Sequence, residues 1–441
     1  MSDKATKTMS RRWKKIPDFF GNPIGRRRLL SGLKGRAWPI LLPVATFYRR
    51  AFVRKVRIVA VVGSFGKSTT MRAITMALGR NVHRRAMLNA KNAVAGAVFR
   101  LRAADRHAVI EVGIDKPGKM ATYARLILPD ITVVTSIGSE HNRSLKTLEI
   151  TRSEKAAMIR ILPRSGLAVL NGDDPNVLWM QSQTCARVIT FGLAESNDVR
   201  ASDIAFDWPR GMRFRLHAGG ETRALRTSLA GKHMVYPILA AVAVALAEGF
   251  TLDLITPRIT ALTPTRGRME TVPLANGAIL LRDDFKSALE TFDAALDTLA
   301  EIPAQRRMVV FGEVSEPPGS QGPIYRRLGE RVAHIVSRTI FVGESSVWSP
   351  FAAGVKRGGG PRDELINAEK SVCRAIEAVR ENLGPGDVVL VKGRDNQRLE
   401  RVSLALTGRT VRCDINFCKA TLRCEECPML ERGWNGVKAV M

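Results

Sequence analysis

Acidic residues are scarce in this sequence. Its 441 residues include 41 Asp and Glu against 69 Lys and Arg, which gives a formal net charge of +28 at pH 7. Half of that excess lies before residue 58, where we count 16 basic and 2 acidic residues. Clustered Lys and Arg suit anionic lipid head groups, polyanionic substrates and nucleic acid. No basic and aromatic nucleic-acid module is visible, so a lipid surface or an anionic substrate is favoured over nucleic acid as the partner of this arm.

Long apolar runs are also absent. The stretch 37–48 is apolar, but a membrane-spanning helix needs about 20 such residues, and Pro39 and Pro43 interrupt the run. The stretch is therefore not a transmembrane span, and we predict a cytoplasmic protein. A contact of the arm with the inner face of the membrane fits the mixture of Trp38 and Phe47 with many arginines. A solvated basic tail is the open alternative.

Cysteine is rare and unevenly placed. Four of the six cysteines fall within fifteen residues near the end of the chain, with the spacing C-x4-C-x5-C-x2-C: Cys413, Cys418, Cys424 and Cys427. Four thiolates suit tetrahedral zinc, and an iron–sulfur cluster would use the same ligands. Unbound thiols or disulfides are the third alternative, although a cytoplasmic location disfavours disulfides. We expect this tail to be structural or to form a docking surface.

A phosphate-binding loop is the clearest motif that is present. The β-branched run 56–62 ends in Gly63-Ser64-Phe65-Gly66-Lys67-Ser68-Thr69, and a helical segment follows. The two glycines permit a tight turn whose amides face inward, and the helix N-terminus favours an anion. Lys67 would bridge phosphate oxygens, and Ser68 would offer its hydroxyl to Mg²⁺. The sequence therefore predicts ATP as a ligand of Gly63, Ser64, Gly66, Lys67, Ser68 and Thr69. A plain strand-to-helix turn that contains a lysine is the bland alternative.

Apolar runs alternate with longer spacers along the chain, which is typical of parallel sheets with helical crossovers. The predicted strands are 56–62, 107–112, 131–136 and 167–171 in a first unit, and 278–282, 308–311, 338–342 and 387–391 in a second. The segment 257–264 is interpreted as a linker. We thus predict an α/β protein with a basic arm (1–55), a central phosphate-loop domain with a mostly parallel sheet (56–256), a C-terminal Rossmann-like domain (257–410) and a Cys-rich tail (411–441).

Several motifs together resemble the Mur ligase family, which includes folylpolyglutamate synthetases and the enzymes that add amino acids to peptidoglycan precursors. In chain order they are Gly63 to Thr70, Glu111-Val112-Gly113, Thr135 to Gly138 followed by His141, Lys155, Leu170 to Pro175, Gly231-Lys232-His233, Gly267 to Glu270, Asp283-Asp284 and Val391-Lys392-Gly393. Their order and spacing are most similar to the branch that adds a D-alanyl-D-alanine dipeptide. Each motif alone is weak, whereas the ordered set is specific.

The resemblance implies an ATP-dependent ligase that activates a carboxylate as an acyl phosphate and joins it to the amine of an amino acid or peptide. It implies that Lys67 stabilises the transferred phosphoryl group. Ser68 and Glu111 would hold one Mg²⁺, and His141 a second. The family often carbamylates a lysine at the position of Lys155, which would turn that side chain into a carboxylate-like metal ligand. A cell-envelope or cofactor precursor is the expected acceptor.

The second unit would complete the site when the two domains close. By resemblance, Arg268 would reach the nucleotide phosphates and Asp284 would bind the ribose. Asp284-Phe285-Lys286 is similar to the form found in D-glutamate-adding members, so Lys286 is expected near the acyl phosphate. Lys67, His141, Lys155 and Lys286 are thus the candidate catalytic residues.

Some positions depart from the family pattern. Met234 and Pro237 stand where the family usually carries asparagines near the adenine. Peptidoglycan ligases of the family also have an N-terminal domain that grips the uridine nucleotide, whereas here only the basic arm precedes the loop. We therefore expect an acceptor that differs or is held differently, and a partner protein is compatible with the sequence. The alternative function is a nucleotide-binding pseudo-ligase or scaffold subunit in a complex.

Overall fold

The structure is a computed structural model, and it describes residues 38–79, 82–88, 91–140, 142–361, 363–418, 420 and 422–433. Residues 1–37, which form most of the predicted basic arm, lie outside these residues. The predicted metal ligand His141 lies outside them as well.

A nine-stranded sheet organises the first half of the described chain. Its strands are β1 (Arg57–Val62), β2 (Val82–Leu88), β3 (His107–Val112), β4 (Ile131–Val134), β5 (Leu167–Asn171), β6 (Arg187–Gly192), β7 (Val199–Asp207), β8 (Gly211–Ala218) and β9 (Glu221–Thr227). They are arranged in the order β2-β3-β1-β4-β5-β6-β7-β8-β9. In this order, all neighbouring strands from β2 through β1 to β7 pair in parallel. The pairs β7 with β8 and β8 with β9 are antiparallel. The parallel part confirms the crossover topology predicted from the spacing of apolar runs.

Helices cover both faces of the parallel part of this sheet. They are α1 (Trp38–Ala51), α2 (Lys67–Leu78), α3 (Lys91–Val98), α4 (Lys119–Ile127), α5 (Asn142–Leu145), α6 (Leu148–Lys155), α7 (Ala157–Arg160), α8 (Pro175–Leu178), α9 (Val235–Ala247) and α10 (Leu252–Thr260). Alternate residues of β1 face two different cores: Val59 and Val61 pack with α2 and α9, whereas Ile58 and Ala60 pack with α3 and α4. Burial on both faces explains why β1 is a continuous apolar run.

A second, six-stranded sheet forms the other domain. Its strands are β10 (Glu270–Pro273), β11 (Ile279–Asp283), β12 (Arg307–Phe311), β13 (Arg338–Phe341), β14 (Leu365–Asn367) and β15 (Val388–Lys392). The order is β10-β11-β15-β12-β13-β14, and every pair except β10 with β11 is parallel. Its helices are α11 (Leu289–Glu301), α12 (Gln321–Ala333), α13 (Ser345–Arg357), α14 (Val372–Arg380) and α15 (Glu400–Leu406), and α16 (Met429–Arg432) lies in the tail.

The predicted linker is partly wrong. Helix α10 ends at Thr260, so the segment assigned to a linker from Pro257 onward begins inside a helix. The helix persists because Leu252, Ile255 and Ile259 are buried against the first domain, and this packing outweighs the backbone hydrogen bond that Pro257 cannot donate. The chain leaves the helical conformation only after Thr260.

Taken together, the two sheets confirm the predicted α/β class, with a phosphate-loop domain followed by a Rossmann-like domain. Within the residues that the structure describes, no helix is long and apolar enough to cross a membrane. Residues 38–48 of the apolar stretch lie in the 14-residue helix α1, which contains Pro43.

Candidate active site

The loop between β1 and α2 is folded tightly against the end of β4. Gly63 and Gly66 have φ angles of 148° and 81°, a region that favours glycine. A Cβ atom on Gly63 would lie 2.0 Å from Thr135 Oγ1, so no larger residue fits there. Thr135 Oγ1 donates a 2.5 Å hydrogen bond to the carbonyl oxygen of Phe65, and Ser64 N donates to Ser136 O at 2.8 Å. The loop is therefore braced in one conformation at the carboxyl edge of the sheet.

Lys67 lies at the centre of this loop. Its ammonium donates hydrogen bonds to the carbonyl oxygens of Gly63 (2.9 Å) and Ser64 (2.7 Å) and forms a 3.1 Å ion pair with Glu140. The side chain is buried, and burial lowers its pKa, opposed mainly by the Glu140 carboxylate. A cation held in this way, next to the N-terminus of α2, suits the phosphates of a nucleotide.

Ser68 and Glu111 form the oxygen-rich part of the site. Parallel pairing of β1 with β3 places Val61 opposite Glu111, which brings the carboxylate to the start of α2. The Ser68 hydroxyl donates a 2.5 Å hydrogen bond to Glu111 Oε2. A hydroxyl and a carboxylate are ligands that Mg²⁺ accepts in proteins, so this pair fits the predicted role.

Lys155 reaches the same loop from the last residue of helix α6. Its ammonium donates a 2.8 Å hydrogen bond to Ser64 Oγ, and the side chain is buried. Burial lowers the pKa of Lys155 well below its usual range, and the nearby charge of Lys67 lowers it further. The structure therefore brings Lys67, Ser68, Glu111 and Lys155 together, as the motifs predicted.

The second domain closes the site from the other side. Lys286 pairs with Glu140, the same carboxylate that binds Lys67. Glu290 accepts hydrogen bonds from Ser139 N (2.7 Å) and Ser139 Oγ (2.8 Å) and so ties α11 to the loop after β4. The two domains enclose a cavity of about 260 Å³. Its lining includes Ser64, Gly66, Lys67, Thr69, Glu111, His233, Met234, Pro237, Arg268, Asp283 and Lys286.

Arg268 is one of the cavity-lining cations from the second domain. Its burial lowers the pKa of the guanidinium, and the carboxylate of Glu111 opposes that shift. The guanidinium also lies over the ring of Phe285, with 5.1 Å between its central carbon and the ring centroid. Arg268 thus lines the same cavity as the phosphate loop, and its contact with nucleotide phosphates stays a prediction.

The structure does not bring Asp284 into this cavity. Its carboxylate is buried in the second domain, where it accepts hydrogen bonds from Arg282 Nε (3.2 Å) and Ser403 Oγ (2.9 Å). Burial raises its pKa, an effect that Arg282 opposes. The neighbouring Asp283 lines the cavity instead and pairs with the buried Lys392 at 2.6 Å. The ribose role assigned to Asp284 therefore stays a prediction that the arrangement does not favour.

Glu140 is the site residue that sequence reasoning missed. Its two carboxylate oxygens pair with lysines from different domains, Lys67 and Lys286. Its position directly before the predicted ligand His141 was the available signal. A carboxylate between two lysines offsets part of their mutual repulsion.

The side of the cavity opposite the loop is lined differently. Phe191, Met234 and Pro237 contribute apolar surface there, and Tyr236 is oriented by a 2.8 Å hydrogen bond from its hydroxyl to Asp173. Apolar side chains with few polar groups suit a flat ring system. This composition is compatible with an adenine that is held mainly by packing rather than by the asparagines usual in the resembled family.

The cysteine tail does not form the predicted metal site. Cys413, Cys418, Cys424 and Cys427 do line one small cavity, but Arg401 shares it and donates a 3.3 Å hydrogen bond to Cys424 Sγ. Burial raises the pKa of Cys424 to about 12, an effect that Arg401 opposes. Among the described residues, no group of three or more His, Cys, Asp and Glu side chains is arranged to hold a metal ion. A zinc ion or an iron–sulfur cluster is therefore not supported.

These features define an α/β enzyme that binds a nucleoside triphosphate between a phosphate-loop domain and a Rossmann-like domain. Residues 61–245 match the Mur ligase middle domain, and residues 267–394 match the Mur ligase, glutamate ligase domain. The chain belongs to the Mur ligase family. It is accordingly an ATP-dependent ligase that joins a carboxylate to an amine, as the resemblance implied, and the comparisons do not favour the alternative of a scaffold without turnover.

Curated relatives include ligases of peptidoglycan synthesis. The UDP-N-acetylmuramoyl-tripeptide–D-alanyl-D-alanine ligase of Mycobacterium tuberculosis H37Rv is 29% identical over 371 residues, which cover 80% of this chain and 73% of that protein. The corresponding Escherichia coli K12 ligase is 28% identical over 357 residues, with 79% and 76% covered. A UDP-N-acetylmuramoyl-L-alanyl-D-glutamate–2,6-diaminopimelate ligase of Geobacillus thermodenitrificans is 29% identical over 281 residues, with 61% and 56% covered.

Solved structures agree on the fold. MurF from Acinetobacter baumannii superposes with a TM-score of 0.74 at 22% identity and covers 84% of this chain and 81% of its own. The MurF ligase from Thermotoga maritima in complex with ADP has a TM-score of 0.74 at 20% identity, with 84% and 83% covered. The two-sheet architecture described above is therefore that of known ligases.

Proposed function

We propose that this ligase activates a carboxylate on a cell-envelope precursor of the peptidoglycan type and joins it to the amine of an amino acid or short peptide. The observation that carries the proposal is that Lys67 and Lys286 line one cavity beside the phosphate loop, while Lys155 contacts Ser64 of that loop. The names of the relatives support the substrate class, since several of them join a muramoyl-peptide to D-alanyl-D-alanine.

The chemistry needs ATP because an amide does not form spontaneously from a free carboxylate and an amine. A carboxylate oxygen attacks the γ-phosphorus, ADP leaves, and an acyl phosphate results. The amine nitrogen then attacks the carbonyl carbon, phosphate leaves, and one proton is released. Lys67, Arg268 and Lys286 line the cavity and would stabilise the negative charge that builds up on the phosphoryl oxygens in the first step.

The donor set at the loop fits Mg²⁺. Ser68 and Glu111 would hold one ion, as judged from the hydroxyl and carboxylate that already meet at 2.5 Å. Bound Mg²⁺ supplies neutralising charge for the phosphate oxygens. His141, which lies outside the described residues, is proposed as a ligand of a second ion from its place in the family motif alone.

Carbamylation of Lys155 is part of the same proposal. The neutral amine is the form that adds CO₂, and burial shifts Lys155 toward that form. The product would carry a negative charge in place of a positive one, next to the Ser64 hydroxyl that Lys155 now contacts at 2.8 Å. Its position at the end of α6 would then make it a carboxylate-like neighbour of the metal.

The tail is proposed as a structural module, and metal binding is no part of this proposal. Arg423 forms a 2.7 Å ion pair with Glu400 at the start of α15, and its guanidinium lies 5.0 Å from the centre of the Phe285 ring. Phe285 in turn contacts Arg268 on the cavity side. The tail would therefore hold Phe285 in place and, through Phe285, the cavity-lining Arg268.

We place the protein in the cytoplasm, where its ATP is available, with the basic arm offered to an anionic substrate or to the inner face of the membrane. The charge of residues 1–57 supports this placement. A partner subunit that binds through the basic arm is compatible with this charge. Nucleic acid is not proposed as a partner.

The deciding experiment measures ATP turnover with Mg²⁺ across a panel of muramoyl-peptides and other carboxylates, each combined with amino acids and dipeptides. ADP and phosphate are scored together with the mass of a new amide. We expect acceptor-dependent ADP formation with an amide product, and its loss in Lys67→Ala. Lys370→Ala is the matched control, because this lysine is exposed and its carboxylate partner is Glu344, outside the cavity. ATP binding without an amide product across the whole panel would contradict the proposal.

A further inference from the structure

Helix α1 presents an apolar stripe to solvent. Ile40, Val44 and Phe47 follow one another at the spacing of a single helix face, with 71%, 50% and 64% of their surface exposed. Phe52, just after the helix, is 62% exposed and packs edge-on against Phe47. Eight large apolar side chains are exposed in the described residues, and four of them lie on this one short segment. Singly exposed apolar residues are ordinary, whereas a contiguous stripe marks an interaction surface.

The helix that carries the stripe is firmly attached to the central domain. Arg49, on its opposite face, is buried and donates hydrogen bonds to the carbonyl oxygens of Ile127 (3.0 Å) and Leu128 (3.1 Å). Tyr48 Oη donates to Leu101 O at 2.8 Å. A ligand of the outer face would thus be held rigidly against the ligase domain rather than by a loose tail.

The surroundings of the stripe are cationic. Arg50, Arg54 and Lys55 are exposed at the C-terminal end of the helix. Between Asp18 and Asp105 the sequence contains no Asp or Glu at all. An apolar face followed by exposed cations matches the membrane-surface helix, whose apolar residues enter the boundary of the acyl chains while its cations meet anionic head groups.

We propose that the outer face of α1 docks on a bilayer surface that contains anionic phospholipid, with Ile40, Val44, Phe47 and Phe52 inserted and Arg50, Arg54 and Lys55 at the head groups. At 14 residues the helix is about 21 Å long, shorter than the roughly 30 Å hydrocarbon core, so it lies on the membrane and does not span it. This inference goes beyond the proposed reaction and does not depend on it. It would hold the active site beside a membrane-bound acceptor or product.

The test is co-sedimentation of the full chain with vesicles of phosphatidylcholine, with and without phosphatidylglycerol. We expect binding to the anionic vesicles that weakens as salt is raised, and little binding to phosphatidylcholine alone. The double variant Ile40→Ser/Phe47→Ser should lower the partition coefficient at least tenfold, because two exposed side chains lose their apolar burial in lipid. Leu254→Ser, at a position 50% exposed on α10, is the matched control and should bind like wild type.

A second pair of variants separates the role of the charges. Arg54→Gln/Lys55→Gln should lower binding roughly tenfold, whereas Arg210→Gln/Lys370→Gln, which removes the same charge from exposed positions elsewhere, should have little effect. ATP turnover without vesicles reports folding and the proposed function independently. Equal binding by wild type and Ile40→Ser/Phe47→Ser would overturn the proposal, and so would a failure to bind anionic vesicles, since the stripe would then serve a protein segment.

Discussion

The two domains contribute to the cavity in different ways. On the phosphate-loop side, Lys67 is 8% exposed and held by two loop carbonyls and a carboxylate. On the second-domain side, Lys286 is 35% exposed, and Glu140, across the domain boundary, is the partner that orients it. Side chains that are fixed before the ligand arrives stabilise charge without reorganisation, whereas a mobile one must first be ordered. The comparison indicates that Lys67 is fixed within the first domain, whereas the orientation of Lys286 depends on contact between the two domains.

The largest expected effect is on kcat/KM, when each of the two lysines is replaced by alanine. Lys67→Ala should lower kcat/KM by about 10³, since it removes a fixed cation from the phosphoryl group, whereas Lys286→Ala should lower it by only about 10-fold to 100-fold. Steady-state kinetics with a saturating acceptor measures both. Equal losses in the two variants would break the distinction between a preformed and a closing side.

A stability effect is expected on the second-domain side. Asp283→Asn leaves the fully buried ammonium of Lys392 without its carboxylate partner and should destabilise the protein by about 3 kcal/mol. Denaturant unfolding followed by circular dichroism measures this change. Asp297→Asn, at an exposed position on α11, is the control and should change the stability by less than about 0.5 kcal/mol. A neutral outcome for Asp283→Asn would mean that water reaches Lys392.

The next test concerns the proposed Mg²⁺ ligands. Glu111→Gln keeps the shape of the side chain but removes the charge beside Ser68, so we expect about 100-fold lower turnover at low Mg²⁺, partly restored at high Mg²⁺. A magnesium titration of the rate distinguishes this outcome from a folding defect, which extra metal would not repair. An unchanged magnesium dependence would remove Glu111 from the proposed ligands.

The smallest effect concerns pH and His233, which lines the far side of the cavity. Burial lowers the pKa of His233 from 6.5 to about 4. Between these values the unfolded chain takes up a proton that the folded protein does not, so the contribution to stability is complete above pH 6.5 and is lost as the pH falls toward 4. We expect the free energy of unfolding to fall by about 2 kcal/mol over this pH range, since the imidazole is only partly shielded from solvent. His233→Gln should remove this part of the pH dependence of unfolding; an identical pH profile would contradict the assignment.

Much of the fold and half of the site follow from the sequence. The β-branched runs and glycine turns predict the parallel strands, because strands buried on both faces are continuously apolar. Motifs at the ends of β1 and β3 predict the meeting of Ser68 and Glu111, because parallel strands bring their carboxyl ends to one edge of the sheet. Lys155, at the end of helix α6, was placed at the site by the resemblance alone. The antiparallel strands β7 to β9 were not predicted, although β8 alternates apolar and polar residues. In β7 the pairing with β8 is irregular between Ser202 and Ala205, where Asp203 has a positive φ.

The second-domain half of the site could not be predicted in the same way. Asp283 is the last residue of β11 and Asp284 follows it, so the pairing of Asp283 with Lys392 of β15, which the sequence does not reveal, decides which of the two lines the cavity. The role of Glu140 could not be predicted for a similar reason, because its second ion pair is with a lysine 146 residues further along the chain. The cysteine spacing suggested a metal, but spacing does not reveal that Arg401 enters the same cavity.

The double ion pair of Glu140 has a consequence for how the two domains are linked. One carboxylate pairs with the ammonium of Lys67 in the phosphate-loop domain and with that of Lys286 in the second domain. A change that removes the charge of Glu140 would therefore remove a link between the domains and a counter-ion of the phosphate-loop lysine at the same time. Glu140 thus couples the electrostatics of the phosphate loop to the position of the second domain.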